Sequence, residues 1–170
     1  MCWVALDRAA QIAAHLGRSA YEARIRAHAD TIREDVFANG WNEELQSFTQ
    51  TYGGGELDAS LLLMEQYGFI AADDERYVKT VNRIEAELLR NDLMYRYKNR
   101  DDFGLPDSAF TICTFWLVRA LYVTGRRERA TEIFDKLVTC NNHVGLFSED
   151  LDFVTKRQLG NFPQAYSHLA

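Results

Sequence analysis

Apolar residues along this chain recur mostly at helical spacing. From residue 2 to 16, Trp3, Val4, Leu6, Ala9, Ala10, Ile12, Ala13 and Leu16 form the wide stripe of one helix. Gly17 closes it, a residue suited to the left-handed turn after a helix. Ser19, with Glu22 three residues on, has the spacing of a capping box for a second helix. That helix repeats Ile25, Ala29, Ile32 and Val36 and runs to Asn39-Gly40. The period is lost over 41–56, where Leu45, Ser47–Gln50 and Tyr52 fit a short extended piece and Gly53-Gly54-Gly55 a turn. Residues 57–67 are apolar almost all round and predict a helix closed by Gly68. Asp73 and Asp74 open a longer one, to about residue 90, with Tyr77, Val78, Val81, Ile84 and Leu88 on its stripe; acids at a helix start complement its dipole. Residues 91–107 are irregular, broken by Gly104 and Pro106. Ser108 is placed to cap a very apolar helix that stops at Gly125, and an amphipathic helix over 127–139 carries Ala130, Ile133, Phe134 and Leu137. After Asn141-Asn142, a loop gathers Glu149, Asp150 and Asp152 and passes through Gly160-Asn161-Phe162-Pro163 to the start of a last helix.

A repeat runs through this pattern. A strongly apolar helix ends in glycine at 17, 68 and 125, and each time a short turn leads to a more charged, amphipathic helix. The long polar-aromatic loops 40–56, 91–107 and 141–161 separate the units. Such repetition is the mark of stacked helical hairpins. The apolar helices need neighbours on most sides and belong to an inner layer; the charged ones can be outer, with one face wet. The glycine turns then share one end of the stack and the long loops the other, where function concentrates. The expectation is an all-α arc, one domain over residues 1–170.

Composition narrows the partners. With 170 residues, 47% hydrophobic content and 26% charged, the chain can bury a core. A net charge of -6 argues against nucleic acid, which needs clustered lysine and arginine. The short runs Arg126-Arg127-Glu128-Arg129 and Lys156-Arg157 read as solvated faces. Cys2, Cys113 and Cys140 are too far apart for a CxxC and predict reduced, buried thiols in a cytoplasmic protein, with no disulfide and no zinc site. No stretch reaches the ~18 apolar residues of a membrane helix, and the first residues lack a secretory leader. The chain is helical in pattern from its first residue, and its last helix starts just before it stops, so both ends read as cut.

Few residues are available for chemistry. Glu149, beside Asp150 and Asp152, is the best candidate acid or base, since close carboxylates raise one another's pKa. The competing reading is a set of acids on a wet or helix-capping loop. Arg96, between Tyr95 and Tyr97, suits either a hydroxyl-rich ligand or stacking on tyrosine. Trp41 and Trp116 are possible sugar platforms, although Trp116 sits in the most apolar helix and reads as core. His168 reads as structural, and His15, His28 and His143 lack metal-ligand spacing. Gly53-Gly54-Gly55 lacks the Lys-Ser/Thr of a phosphate loop.

Four blocks, SFTQTYGGGELDASLLL (47–63), YRYKNRDDFG (95–104), AFTICTFWLVRAL (109–121) and GLFSEDLDFVTKRQLGNFPQAYSHLA (145–170), together resemble glycoside hydrolase family fifteen. That family holds glucoamylases, glucodextranases and bacterial trehalase-like enzymes, and the likeness is closest to the bacterial branch. The resemblance implies an (α/α)6 barrel, of which this chain would be the C-terminal half, and inverting hydrolysis of α-glucosidic bonds. It implies Glu149 as general base, Arg96 with Tyr97 as sugar contacts, and an α-glucoside oligosaccharide or trehalose as substrate; Trp41 stays a further candidate by its residue type, and no cofactor or metal is expected. The family's general acid lies in a Gly-Ile-Trp-Glu-like segment upstream of the helix that begins this chain, so the chain carries the base and not the acid. The alternatives are a helical-repeat fragment that self-associates through open barrel edges or binds an N-terminal partner, and a protein-binding module.

Overall fold

The computed structural model describes residues 1–102 and 104–169. Among these, the helices pair into three hairpins. Helix α1 (Cys2–His15) lies against α2 (Ser19–Asn39), a 3-10 turn (Ala59–Leu62) running into α3 (Leu63–Gln66) precedes α4 (Glu75–Leu88), and α5 (Thr111–Val123) packs on α6 (Arg127–Val138). A last short helix, α7 (Ala165–His168), returns to α5. Gly17, Gly68 and Gly125 all take positive φ, 66°, 77° and 87°, so each inter-helix turn uses the conformation that glycine alone adopts without strain. The fold is the all-α helical-hairpin arc expected.

The inner position of α5 follows from its composition. Ile112, Cys113, Trp116, Leu117, Ala120 and Leu121 are buried, and they meet Tyr77, Val81, Ile84 and Leu88 of α4 and Ile133 and Leu137 of α6 in one core. Helices α4 and α6 bury one stripe each and leave the other wet.

Each long loop folds into short antiparallel strands. Strands β1 (Trp41–Asn42) and β2 (Ser47–Phe48) pair, as do β3 (Leu89–Arg90) and β4 (Leu93–Met94); β5 (Ala109–Phe110), β6 (Asp150–Leu151) and β7 (Gln158–Leu159) form a three-stranded sheet in that order. Buried threonines tie two of these to the helices. The Phe48 N–H donates to Thr80 Oγ1 of α4 at 3.1 Å, and the Met94 N–H to Thr114 Oγ1 of α5 at 3.0 Å. Strand N–H groups that face a helix would otherwise be buried without a partner.

Several local expectations are corrected. The Ser19–Glu22 capping box does not form: Arg18 follows the glycine turn, its carbonyl accepts from the Tyr21 and Glu22 N–H groups, and the helix has already begun at Ser19. The 57–67 helix is only a 3-10 turn and one α turn, capped by Asp58; an all-round apolar run reports burial and not period. Ser108 does not cap α5, because Ala109 and Phe110 pair with β6 and the helix starts only at Thr111. Cys2 is exposed, whereas Cys113 and Cys140 are buried. The basic run at 126–129 is a seam: Arg126 and Arg129 both pair with Glu85 of α4, and Arg129 reaches Asp92. Lys156, likewise, donates to the Asn91 carbonyl. Among the described residues, no helix is long and apolar enough to cross a membrane.

Candidate active site

Glu149 stands where the 141–149 loop enters β6. Its backbone is fixed on two sides: its carbonyl accepts from the Thr111 N–H, the first of α5, at 2.9 Å, and its own N–H donates to the Asn161 carbonyl at 2.9 Å. The side chain turns back to the same residue. Glu149 Oε2 accepts from the Asn161 N–H at 3.1 Å and from Asn161 Nδ2 at 2.8 Å.

Arg96 follows β4. Its carbonyl accepts from the Ala59 N–H at 2.8 Å, and its Nε lies 3.5 Å from Asp58 Oδ2. Asp58 is 5% exposed, and its other oxygen accepts from the Ser60 N–H at 2.7 Å. The half-exposed guanidinium lies over the Tyr97 ring. Tyr97 donates to Asp101 Oδ2 at 2.6 Å, and that hydrogen bond, with some burial, raises its phenol above the usual range.

These three residues meet. Glu149, Arg96 and Tyr97 line one cleft of about 390 Å³ with Asp107, Ser108 and Asp150. Arg96 also borders a larger apolar cleft of about 700 Å³ that includes Trp116 and Tyr166. Trp116 is buried, with Tyr166 edge-on against it. Trp41 lines neither cleft; it packs edge-on against Phe48 across the β1–β2 pair.

The three neighbouring acids differ. Burial raises the Asp150 carboxyl, against a lowering by the Ser108 hydroxyl that donates to it at 2.9 Å, with the Glu149 and Asp107 charges adding to the rise. Asp152 is lowered, because the N–H groups of Thr155 and Val154 and the Thr155 hydroxyl donate to it. It belongs to a turn and lies outside the cleft. His168 is structural, its Nε2 accepting from the Phe147 N–H at 3.0 Å. Asp58, Ser108 and Asn161 escaped the reading of the sequence. Asp58 looked like part of a helix and Ser108 like a cap. Asn161 stood in a breaker ahead of a helix, and no local signal marks a residue that reaches back to a strand-side carboxylate.

The sequence model of "Glycosyl hydrolases family 15" matches residues 1–170. The chain belongs to that family. Among curated family relatives, a trehalase of Mycolicibacterium smegmatis is 43% identical over 173 residues, covering 100% of this chain and 26% of that protein. A trehalase of Thermoplasma volcanium is 37% identical over 170 residues, covering 99% of this chain and 27% of that protein. The chain thus spans about a quarter of the length of the curated relatives it matches. A solved wild-type glycosidase superposes with a TM-score of 0.69 at 19% identity, over 77% of this chain and 34% of its own, which supports the helical-hairpin fold of the family member described here.

Proposed function

We propose that this chain forms the base-bearing part of a site that hydrolyses α-glucosidic bonds with inversion, with trehalose as the favoured substrate. The observation that carries the reading is the cleft where Glu149, Arg96 and Tyr97 come together from two separate loops. In it Glu149 takes a proton from water as the water oxygen bonds to the anomeric carbon. The glycosidic bond breaks on the opposite face, and its oxygen leaves with a proton from a second carboxylic acid. Inversion places the two carboxyl groups roughly 6.5–9.5 Å apart, so that water fits between base and sugar. Arg96, its Nε paired with Asp58, offers its terminal nitrogens to sugar hydroxyls. The general acid is supplied from outside these residues. Trehalose is favoured over maltose-type and isomaltose-type substrates because the relatives at 43% and 37% identity are trehalases.

The test compares leaving groups. α-Glucosyl fluoride departs as fluoride and needs no protonation, whereas trehalose does. We expect the 170-residue chain to hydrolyse the fluoride with release that Glu149→Gln reduces by ~10²–10⁴-fold. Trehalose, maltose and isomaltose should yield almost no glucose. Brisk trehalose turnover by this chain would remove the need for an outside acid. Fluoride release indifferent to Glu149→Gln would remove the base.

A further inference from the structure

We infer that Gly160 and Asn161 form a positioning clamp that decides which oxygen of Glu149 acts: Oε2 is held by the clamp and Oε1 takes the proton from water. The inference rests on Glu149 being the general base.

A glutamate carboxylate rotates about a broad, roughly two-fold terminal torsion, so a loose one would spread its basic oxygens over a wide arc. Here two donors from one residue, the Asn161 backbone N–H and Nδ2, converge on Oε2. Hydrogen bonds to an ionised acceptor are the stronger kind. Among the described residues, Oε1 accepts no protein hydrogen bond, and Glu149 lines the cleft. The clamp is itself anchored, because the Asn161 carbonyl accepts from the Glu149 N–H and the Asp150–Leu159 pair of β6 and β7 lies next to it.

Gly160 makes the approach possible. Its φ is 71°, and a Cβ placed there would stand 3.0 Å from Glu149 Oε2 and 3.1 Å from Glu149 Cβ. A side chain would press on the carboxylate and ask it to give by a few tenths of an ångström. Glycine here therefore serves both the backbone conformation and the space that the carboxylate fills. Asn161 does not meet the reacting atoms in this scheme; it acts through Glu149.

The test uses α-glucosyl fluoride hydrolysis by the chain, with kcat and KM measured for Asn161→Ala and Asn161→Asp beside Glu149→Gln. A misplacement of the base by about 1 Å costs on the order of 100-fold. We expect Asn161→Ala to lower kcat by roughly 10- to 100-fold while KM stays within about twofold. Asn161→Asp keeps the shape but replaces the donor by a carboxylate, and should lower kcat at least as much without loss of helical circular dichroism. Unchanged kcat in both variants, or a loss confined to KM, overturns the clamp. If Glu149→Gln keeps full fluoride release, the base reading fails instead. A second readout needs no turnover: in the ¹⁵N-labelled chain, the Asn161 side-chain amide resonance should move in Glu149→Gln. An unmoved resonance overturns the clamp, even if the chain releases no fluoride.

Discussion

Asp7 shows how one buried charge can be a structural part of a helix pair. It is buried on α1 and accepts from Arg8, from Gln11 at 2.7 Å and from Arg26 of α2 at 2.5 Å. Burial raises its carboxyl, but the hydrogen bond and charge of Arg26, with those of Arg8, outweigh this and hold it below its ordinary 3.8. A depressed carboxylate stabilises the fold above its unfolded pKa and loses that contribution as the pH falls through the folded value. Asp7→Asn should therefore cost about 1–2 kcal/mol at pH 7, a figure reduced for the partly exposed guanidinium partners. The difference should shrink steadily below about pH 4. Urea melts of both proteins at pH 7 and pH 3 would check this, and a constant difference would contradict it. Nothing in the hydrophobic pattern singled out Asp7, because its role depends on a residue of the next helix. Glu149 and Arg96, by contrast, stood out as candidates through their flanking motifs. Their partners Asn161 and Asp58 did not.

At the scale of the elements, the short strands hang on helices through threonine hydroxyls, and α5 provides its own control. Thr114 Oγ1 accepts from the Met94 N–H, two residues before Arg96, whereas Thr111 Oγ1 is buried without a hydrogen-bond partner among the described residues. The two sites share a helix, a residue type and complete burial. Thr114→Val should cost ~1–3 kcal/mol, since it strands a buried N–H. Thr111→Val should be neutral or stabilising, since it removes an unmet polar atom. Equal losses in chemical denaturation would show that hydroxyl packing and not hydrogen bonding decides. Helices α4 and α6 were readable from period, because each buries one stripe against the same core, and α5 from the length of its apolar run, which is long enough for a helix. The 57–67 segment was not, because an apolar residue on every side satisfies a helix, a 3-10 turn or a buried loop equally. Its shape is set by Asp58, by the Ala59–Arg96 backbone bond and by the Tyr77 hydroxyl, which donates to the Leu62 carbonyl at 2.8 Å.

Across the whole molecule, the hairpin arc leaves apolar surface open. Ile32, Leu61 and Met64, half-buried, line the cleft of about 700 Å³, and Ile12 and Leu16 of the α1 stripe are exposed. Contiguous apolar patches promote association. We expect the sedimentation coefficient of this chain to rise with concentration, and a charge at the half-buried cleft residue Met64, Met64→Glu, to suppress the rise. A single monomeric species across the micromolar range would show that the cleft does not drive self-association.

By itself the sequence determined the succession of helices, the glycine stops between them, the ends of the long loops and the family to which these belong. Those properties are local or periodic: a stripe at helical spacing must be buried whatever covers it, and a turn with positive φ favours glycine wherever it lies. Tertiary structure alone decided which loop meets which. The seat of the Glu149 carboxylate on Asn161 and the grip of Asp58 on Arg96 both depend on distances between residues separated in the chain. Hydrogen bonds act over about 3 Å, and only the packed helices bring such groups that close.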